Sequence, residues 1–184
     1  IKQNVDRPGV NVGSGGYLCF IPGSGLYHSA LADYIAAVTN RYAGVYFASP
    51  GAVRMEQMLV RWIADFIGYP ESAAGDLTSG GSIANLTAIV TARDACNLKA
   101  KDISNSVVYL TEQAHHSIEK ALRIAGLEEC VKRYIPLDEH YRLRADALER
   151  TISDDKKSGL NPWLIVAAAG TVDAGAVDPL ESIA

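Results

Sequence analysis

The chain has 184 residues, of which 48% are hydrophobic and 21% are charged, a balance typical of one globular domain with its own core. Its net charge of -4 argues against nucleic acid or an anionic membrane as a partner, because both select for clustered Lys and Arg. The longest apolar stretch, residues 163–170, is far shorter than the roughly 20 residues that a membrane span needs.

Short apolar runs alternate with amphipathic stretches, which predicts an α/β fold with a mixed, mostly parallel sheet and flanking helices. A Gly-rich opening segment precedes a helix expected at 29–40. The next helix, expected at 51–67, carries an apolar stripe that we expect to be structural. Further helices are expected at 82–96, 117–125 and 144–153, and strands at 106–110, 131–135 and 163–169. The continuous apolarity of 163–169 predicts the central strand, because a strand covered on both faces needs it.

The three cysteines, Cys19, Cys96 and Cys130, are far apart and lack any CxxC or CxxH spacing. The sequence therefore predicts neither a disulfide framework nor a metal site. Unpaired cysteines suit a reducing compartment, so we expect a cytoplasmic protein. The chain begins with Ile1 rather than Met and stops within a helix-like segment, and we expect it to be a fragment truncated at both ends.

Residues 78–85, Thr-Ser-Gly-Gly-Ser-Ile-Ala-Asn, place small and hydroxyl side chains directly before a predicted helix. Glycine lets the backbone approach an anion closely, and free N–H groups at a helix start face the negative charge. The segment therefore predicts an anion site to which Ser82 can donate. The alternative is a Gly-rich helix start with Ser82 as the N-cap residue. The spacing matches neither a P-loop nor a Rossmann fingerprint.

Two more polar loops follow predicted strands, and the carboxyl ends of strands are where open α/β sheets bind ligands. The first loop contains His115 and His116, and a histidine there can lay its ring flat on a planar cofactor. The alternative is a polar pair at a helix start. Adjacent histidines cannot both face one ligand, which makes them a poor metal pair.

The second loop, residues 170–180, contains Thr171 and Asp173. We also expect a strand-to-helix connection here, with Asp178 as the N-cap residue and Pro179 at the first helical position. Both interpretations are compatible, since the first two side chains remain free for function.

These segments resemble, in the same order, those of the PLP-dependent group II decarboxylases, the family of aromatic-L-amino-acid and glutamate decarboxylases. Residues 75–87 are similar to the family's cofactor-phosphate segment, 113–119 to its ring-stacking histidine segment, and 169–180 to the strand and loop that follow. Residues 20–22 and 46–51 resemble its substrate-pocket and dimer-contact region. The resemblance implies the PLP-dependent aminotransferase-like fold (fold type I), with the chain as part of its large domain.

The resemblance also implies roles for single residues. Gly81 and Ser82 would hold the phosphate of pyridoxal 5'-phosphate, the one cofactor implied. His115 would stack on its ring as a catalytic residue, and Thr171 would lie near the cofactor. The family has a second threonine where this chain has Val172, so the role of that second hydroxyl is open. Three residues match substrate-binding positions loosely, namely Phe20, Pro22 and Tyr42.

For the function, the resemblance implies decarboxylation of an L-amino acid to the amine and CO2 by a homodimer. The aromatic and apolar pocket candidates favour an aromatic substrate. Residues 1–50 would contribute to the pocket and the dimer contact, and residues 51–184 would form the first half of the PLP-binding domain. The lysine that holds the cofactor is expected after Ala184, so residues 1–184 alone should be inactive.

Two alternatives remain open from the sequence. One is another fold-type-I PLP lyase, because phosphate loops and stacking histidines recur across that fold. The other is a catalytically dead decarboxylase-like protein that serves in dimerisation or binding. A lysine and an aspartate at the family's positions after Ala184 would distinguish an enzyme from the dead form.

Overall fold

The computed structural model describes residues 1–18 and 25–184, which divide into two units, Ile1–Leu77 and Thr78–Ala184. The functional boundary expected between residues 50 and 51 falls inside the first unit, at the start of a helix. The roles expected of 1–50 and 51–184 stay predictions. Within the described ranges, no helix is long and apolar enough to cross a membrane.

The first unit contains helices α1 (Tyr27–Thr39) and α2 (Pro50–Phe66), within two residues of their predicted ranges. Short helical turns lie at Lys2–Asp6 and Tyr46–Ala48. Pro50 opens α2 because its fixed φ suits the first turn, where an N–H is not needed. The guanidinium of Arg61 donates to the carbonyl oxygens of Pro70 and Glu71 at 3.1 Å, which ties the segment after α2 to the helix.

The apolar stripe of α2 remains exposed, although we expected it to be structural. Trp62 is 65% exposed and Phe66 is 83% exposed, and the stripe also includes Met55, Leu59 and Ile63. Ala64 is the buried residue of this helix. Periodicity predicts that a helix has an apolar face, but it does not say what covers that face.

The second unit alternates helices and strands, as predicted. Its helices are α3 (Gly81–Ala95), α4 (Ser117–Ile124), α5 (Ala145–Lys157) and α6 (Leu180–Ile183), with a 3₁₀ turn at Ala100–Asn105. Its strands are β1 (Ser106–Leu110), β2 (Val131–Tyr134) and β3 (Asn161–Ile165). The three strands form one parallel sheet in the order β2-β1-β3.

Strand β1 is the centre of this sheet, and each of its residues is at most 1% exposed. Val108 and Leu110 belong to a core cluster that includes residues of α3 and α4. Val107 and Tyr109 belong to a second cluster, which includes residues of α5. Helices therefore cover both faces of β1, as the continuous apolarity of a buried parallel strand requires.

The prediction of a central strand at 163–169 was wrong, because β3 lies at one side of the three described strands and ends at Ile165. The backbone N–H of Val166 still donates to the carbonyl of Tyr109 at 2.8 Å. Strand β1 itself ends at Leu110, so residues 167–169 continue past the end of their neighbour. Ala167 and Ala168 are half-buried and Ala169 is exposed, so this apolar run does not extend the strand.

A buried carboxylate joins β1, β2 and α5. Asp155 accepts a hydrogen bond from the Tyr109 hydroxyl at 3.0 Å and pairs with the Arg133 guanidinium at 2.7 Å. The Arg133 guanidinium is the main reason that the pKa of Asp155 lies below its usual range. Burial, followed by the nearby carboxylate, raises the pKa of Tyr109.

We expected Asp178 to be the N-cap residue of the following helix, and this prediction was wrong. The N-cap residue of α6 is Pro179, and the Asp178 carboxylate is buried. It accepts hydrogen bonds from the backbone N–H groups of Leu143 and Ala168, each at 2.7 Å. A buried carboxylate is stabilised by such donors, and these two amides gain a partner that no sheet ladder provides.

Candidate functional site

Helix α3 begins at Gly81, so Ser82 is its second residue and not its N-cap. The N-cap is Gly80, with a φ of +128° that favours glycine. Ile83 and Ala84 donate their N–H groups to the Gly80 carbonyl at 3.1 Å. The N–H groups of Gly81 and Ser82 therefore precede the first intrahelical bonds and remain available to a ligand.

The surroundings of this helix start suit a phosphate. Its first turn contains no acidic residue, in a part of the chain that the structure fully describes. A Cβ added at Gly81 would meet nothing within 4 Å, so the space before the helix is open. The Ser82 hydroxyl is exposed and does not cap the helix. Two N–H groups, a hydroxyl and the positive end of a helix dipole are what an anion prefers.

His115 lies in the loop between β1 and α4. This loop follows the carboxyl end of a parallel strand, which is where open α/β sheets bind ligands. It is exposed, and its ring centroid is 4.1 Å from that of His116. The Nδ1 atom of His115 is 2.8 Å from the Ser117 hydroxyl and accepts the Ser117 backbone N–H at 3.2 Å. These contacts fix one edge of the ring, and the residue as a whole stays exposed to a ligand, with the ring of His116 close beside it.

The helix start and the histidine are connected. The Asn85 amide nitrogen, on α3, donates to the Ser117 hydroxyl at 2.8 Å. Asn85 lies one helical turn after Gly81, and α3 packs against α4. The structure therefore brings the predicted anion site and His115 into one hydrogen-bonded arrangement.

Thr171 is buried in the loop that follows β3. Its hydroxyl accepts the backbone N–H of Ala176 at 3.1 Å, and its carbonyl accepts the N–H of Gly175 at 2.9 Å. The side chain thus helps to hold the loop closed, and its expected place near the cofactor stays a prediction. Val172 and Asp173 are exposed in the same loop.

The expected substrate-binding residues belong to the first part of the chain. Phe20 and Pro22 are outside the described residues, and Tyr42 is exposed in the first unit. That unit has a cleft of about 680 Å³ beside α1 and α2, lined mainly by apolar residues together with Thr39, Arg41 and Ser49. No three His, Cys, Asp or Glu residues of the described ranges are grouped to hold a metal ion.

Sequence reasoning missed Asn85 and Ser117, which support His115. They are 32 residues apart, and only the packing of α3 on α4 brings them together. It also missed Gln113, whose side-chain oxygen is buried without a hydrogen-bond partner in the described chain. The one available signal was the spacing of Asn85, since a residue three or four positions after Ser82 and Gly81 shares their helix face.

Comparison with known proteins identifies a family. Residues 8–184 match the pyridoxal-dependent decarboxylase conserved domain. The chain is 36% identical over 184 residues to an aromatic-L-amino-acid decarboxylase of Bacillus atrophaeus, with 100% of this chain and 38% of that protein covered. It is 31% identical to an L-2,4-diaminobutyrate decarboxylase of Acinetobacter baumannii, over 84% of this chain and 34% of that protein.

Solved structures agree with this match. The chain superimposes on Catharanthus roseus tryptophan decarboxylase in complex with L-tryptophan with a TM-score of 0.85 at 25% identity, covering 99% of this chain and 40% of that one. The expected α/β, fold-type-I architecture is therefore confirmed. The chain spans about 38% of the length of the Bacillus relative.

Proposed function

Because the chain belongs to the pyridoxal-dependent decarboxylase family, we propose that the whole protein uses pyridoxal 5'-phosphate to decarboxylate an L-amino acid to its amine. The observation that carries the proposal is the hydrogen-bonded connection between the open start of α3 and the ring of His115. It provides an anion site and a flat aromatic surface in one rigid arrangement. Those are the two features that a phosphorylated aromatic cofactor needs.

The chain's own residues would bind and orient the cofactor. The N–H groups of Gly81 and Ser82 and the Ser82 hydroxyl would hold the phosphate. The His115 ring would lie on the pyridine face and keep water from it. The cofactor, when bound, supplies an electron-withdrawing ring that accepts the electron pair released as the carboxylate leaves.

An aromatic amino acid is the proposed substrate class. Two relatives support this choice by name, the aromatic-L-amino-acid decarboxylase and the tryptophan decarboxylase solved with L-tryptophan. The diaminobutyrate and histidine decarboxylases among the relatives make substrate identity a question for experiment.

The test is to express the whole protein, record the absorbance of bound cofactor, and quantify amines by mass spectrometry. L-tryptophan, L-DOPA, L-glutamate and L-2,4-diaminobutyrate are the substrates to compare. A cofactor band with tryptamine or dopamine supports the proposal. An amine from L-glutamate or L-2,4-diaminobutyrate alone contradicts the aromatic preference. A band without any amine favours another PLP lyase or a dead decarboxylase, and no band rejects the cofactor.

We also propose that the whole protein is a homodimer. The support for this is the resemblance of residues 46–51 to the family's dimer-contact region. The molar mass in solution, measured by light scattering, tests the proposal. The mass of two chains supports it, and the mass of one chain contradicts it.

Replacing Ser82 with alanine should weaken cofactor binding about tenfold, because one charge-assisted hydrogen bond to the phosphate contributes roughly 1.5 kcal/mol. The measurement is the dissociation constant of pyridoxal 5'-phosphate, obtained by titrating the apo form. Thr91→Ala is the matched control, since Thr91 is exposed on the same helix more than two turns after Ser82. Equal affinity in wild type and Ser82→Ala would show that this hydroxyl does not hold the phosphate.

A further inference from the structure

A series of hydrogen bonds runs from α3 to the ring of His115. The Asn85 amide nitrogen donates to the Ser117 Oγ atom at 2.8 Å. That oxygen is 2.8 Å from Nδ1 of His115, and the Ser117 backbone N–H also reaches Nδ1, at 3.2 Å. Ser117 is 1% exposed, so water does not compete for its bonds.

The directions of these hydrogen bonds follow from the backbone N–H of Ser117, which cannot act as an acceptor. A backbone N–H only donates, so Nδ1 of His115 is an acceptor and holds no hydrogen. The Ser117 hydroxyl therefore donates to Nδ1, and its oxygen is free to accept from Asn85. In the neutral imidazole the hydrogen then lies on Nε2.

We propose that Asn85 and Ser117 are positioning residues that hold His115 in the Nε2–H form, so that Nε2 donates a hydrogen bond to the substrate carboxylate. The proposal deepens the proposed function and rests on it. The Nδ1 edge is turned to Ser117 while the residue as a whole is exposed, so the Nε2 edge is the one left for a ligand. A protonated ring nitrogen donates a hydrogen bond that orients a carboxylate oxygen, and it does not act as a base.

The same turn of α3 would serve both ends of the cofactor. Asn85 lies four residues after Gly81 and three after Ser82, on one face of the helix. The phosphate contact and the Asn85 end of the hydrogen-bond series therefore lie on one helix.

The first test is the hydrogen position itself, measured without cofactor by nitrogen NMR of histidine-labelled whole protein. The His115→Gln variant assigns the signal, because only that signal disappears from its spectrum. Wild type should show Nδ1 without hydrogen and Nε2 with it. Asn85→Asp has the same size but can only accept, so it should draw the Ser117 hydroxyl away and increase the Nδ1–H fraction. Ser117→Ala should do the same.

The second test is kinetic. Both variants should lower kcat about tenfold, because a misplaced group loses transition-state contacts more than binding. Thr91→Ala, at an exposed position further along the same helix, should leave kcat unchanged. A hydrogen on Nδ1 in wild type would overturn the proposal, as would ring signals or kcat values unaffected by both variants. A whole protein that shows the Nε2–H ring but forms no amine would instead contradict the proposed function.

Discussion

The kcat of the whole protein should fall at least about 100-fold when His115 is replaced with alanine, because the variant loses both the stacking surface and the group that orients the substrate. The measurement is amine formation at saturating substrate and saturating cofactor. The ring of His115 is exposed and fixed at one edge by Ser117, so its removal takes away little buried packing. The circular dichroism spectrum should therefore remain that of wild type.

Two further variants separate the possible roles of this residue. His115→Phe keeps an aromatic plane but no N–H, so it should retain most of the cofactor affinity and lose most of kcat. His116→Ala should change kcat less than about threefold, since two adjacent histidines do not face the same ligand. If His116→Ala gave the larger loss, the assignment of the stacking residue would be wrong.

The free energy of unfolding should fall by about 3 kcal/mol when Asp155 is replaced with alanine. The variant leaves the buried Tyr109 hydroxyl without its acceptor and the Arg133 guanidinium without its ion pair. Urea denaturation of the whole protein measures the change. Asp154→Ala is the matched control, because Asp154 is exposed and pairs with Lys157 on the helix surface. Such a pair contributes no more than about 0.5 kcal/mol.

The contribution of Asp155 should also depend on pH in a defined direction. Its folded-state pKa is lowered, mainly by the Arg133 guanidinium. Its stabilisation is therefore complete above the unfolded-state pKa, about 4, and is lost as the pH falls through the folded-state value. The difference in stability between wild type and Asp155→Ala should be constant from about pH 7 to pH 5 and should shrink below about pH 4. A difference that grows on acidification would contradict this account.

Helices and strands with a clear hydrophobic periodicity were predictable from the sequence. The six helices with strong patterns or start signals and the strand at 106–110 lie close to their expected positions, because local periodicity and Pro or Gly signals determine them. The order of strands was not predictable in the same way. Continuous apolarity marks β1 and the run after Trp163 alike, and only the chain connections decide which strand lies between the others.

The residues of the candidate site differ in the same way between local signals and long-range packing. Gly81, Ser82 and His115 were found from short motifs whose chemistry is local. Asn85 and Ser117 were missed because their value depends on two helices that meet across 32 residues of sequence. The alternative of Ser82 as the N-cap residue was wrong, since Gly80 at a positive φ lets the helix start one residue before Ser82.

Asp178 closes a segment of the chain much as a disulfide would. Its carboxylate holds the amide of Leu143, 35 positions earlier, and that of Ala168 within the segment. The entropic cost of holding the two ends of such a segment together rises only slowly with its length. The exposed turn at Ser158 and Gly159 can therefore lengthen at little cost, whereas residues between Ala168 and Asp178 are held to one length by the carboxylate itself.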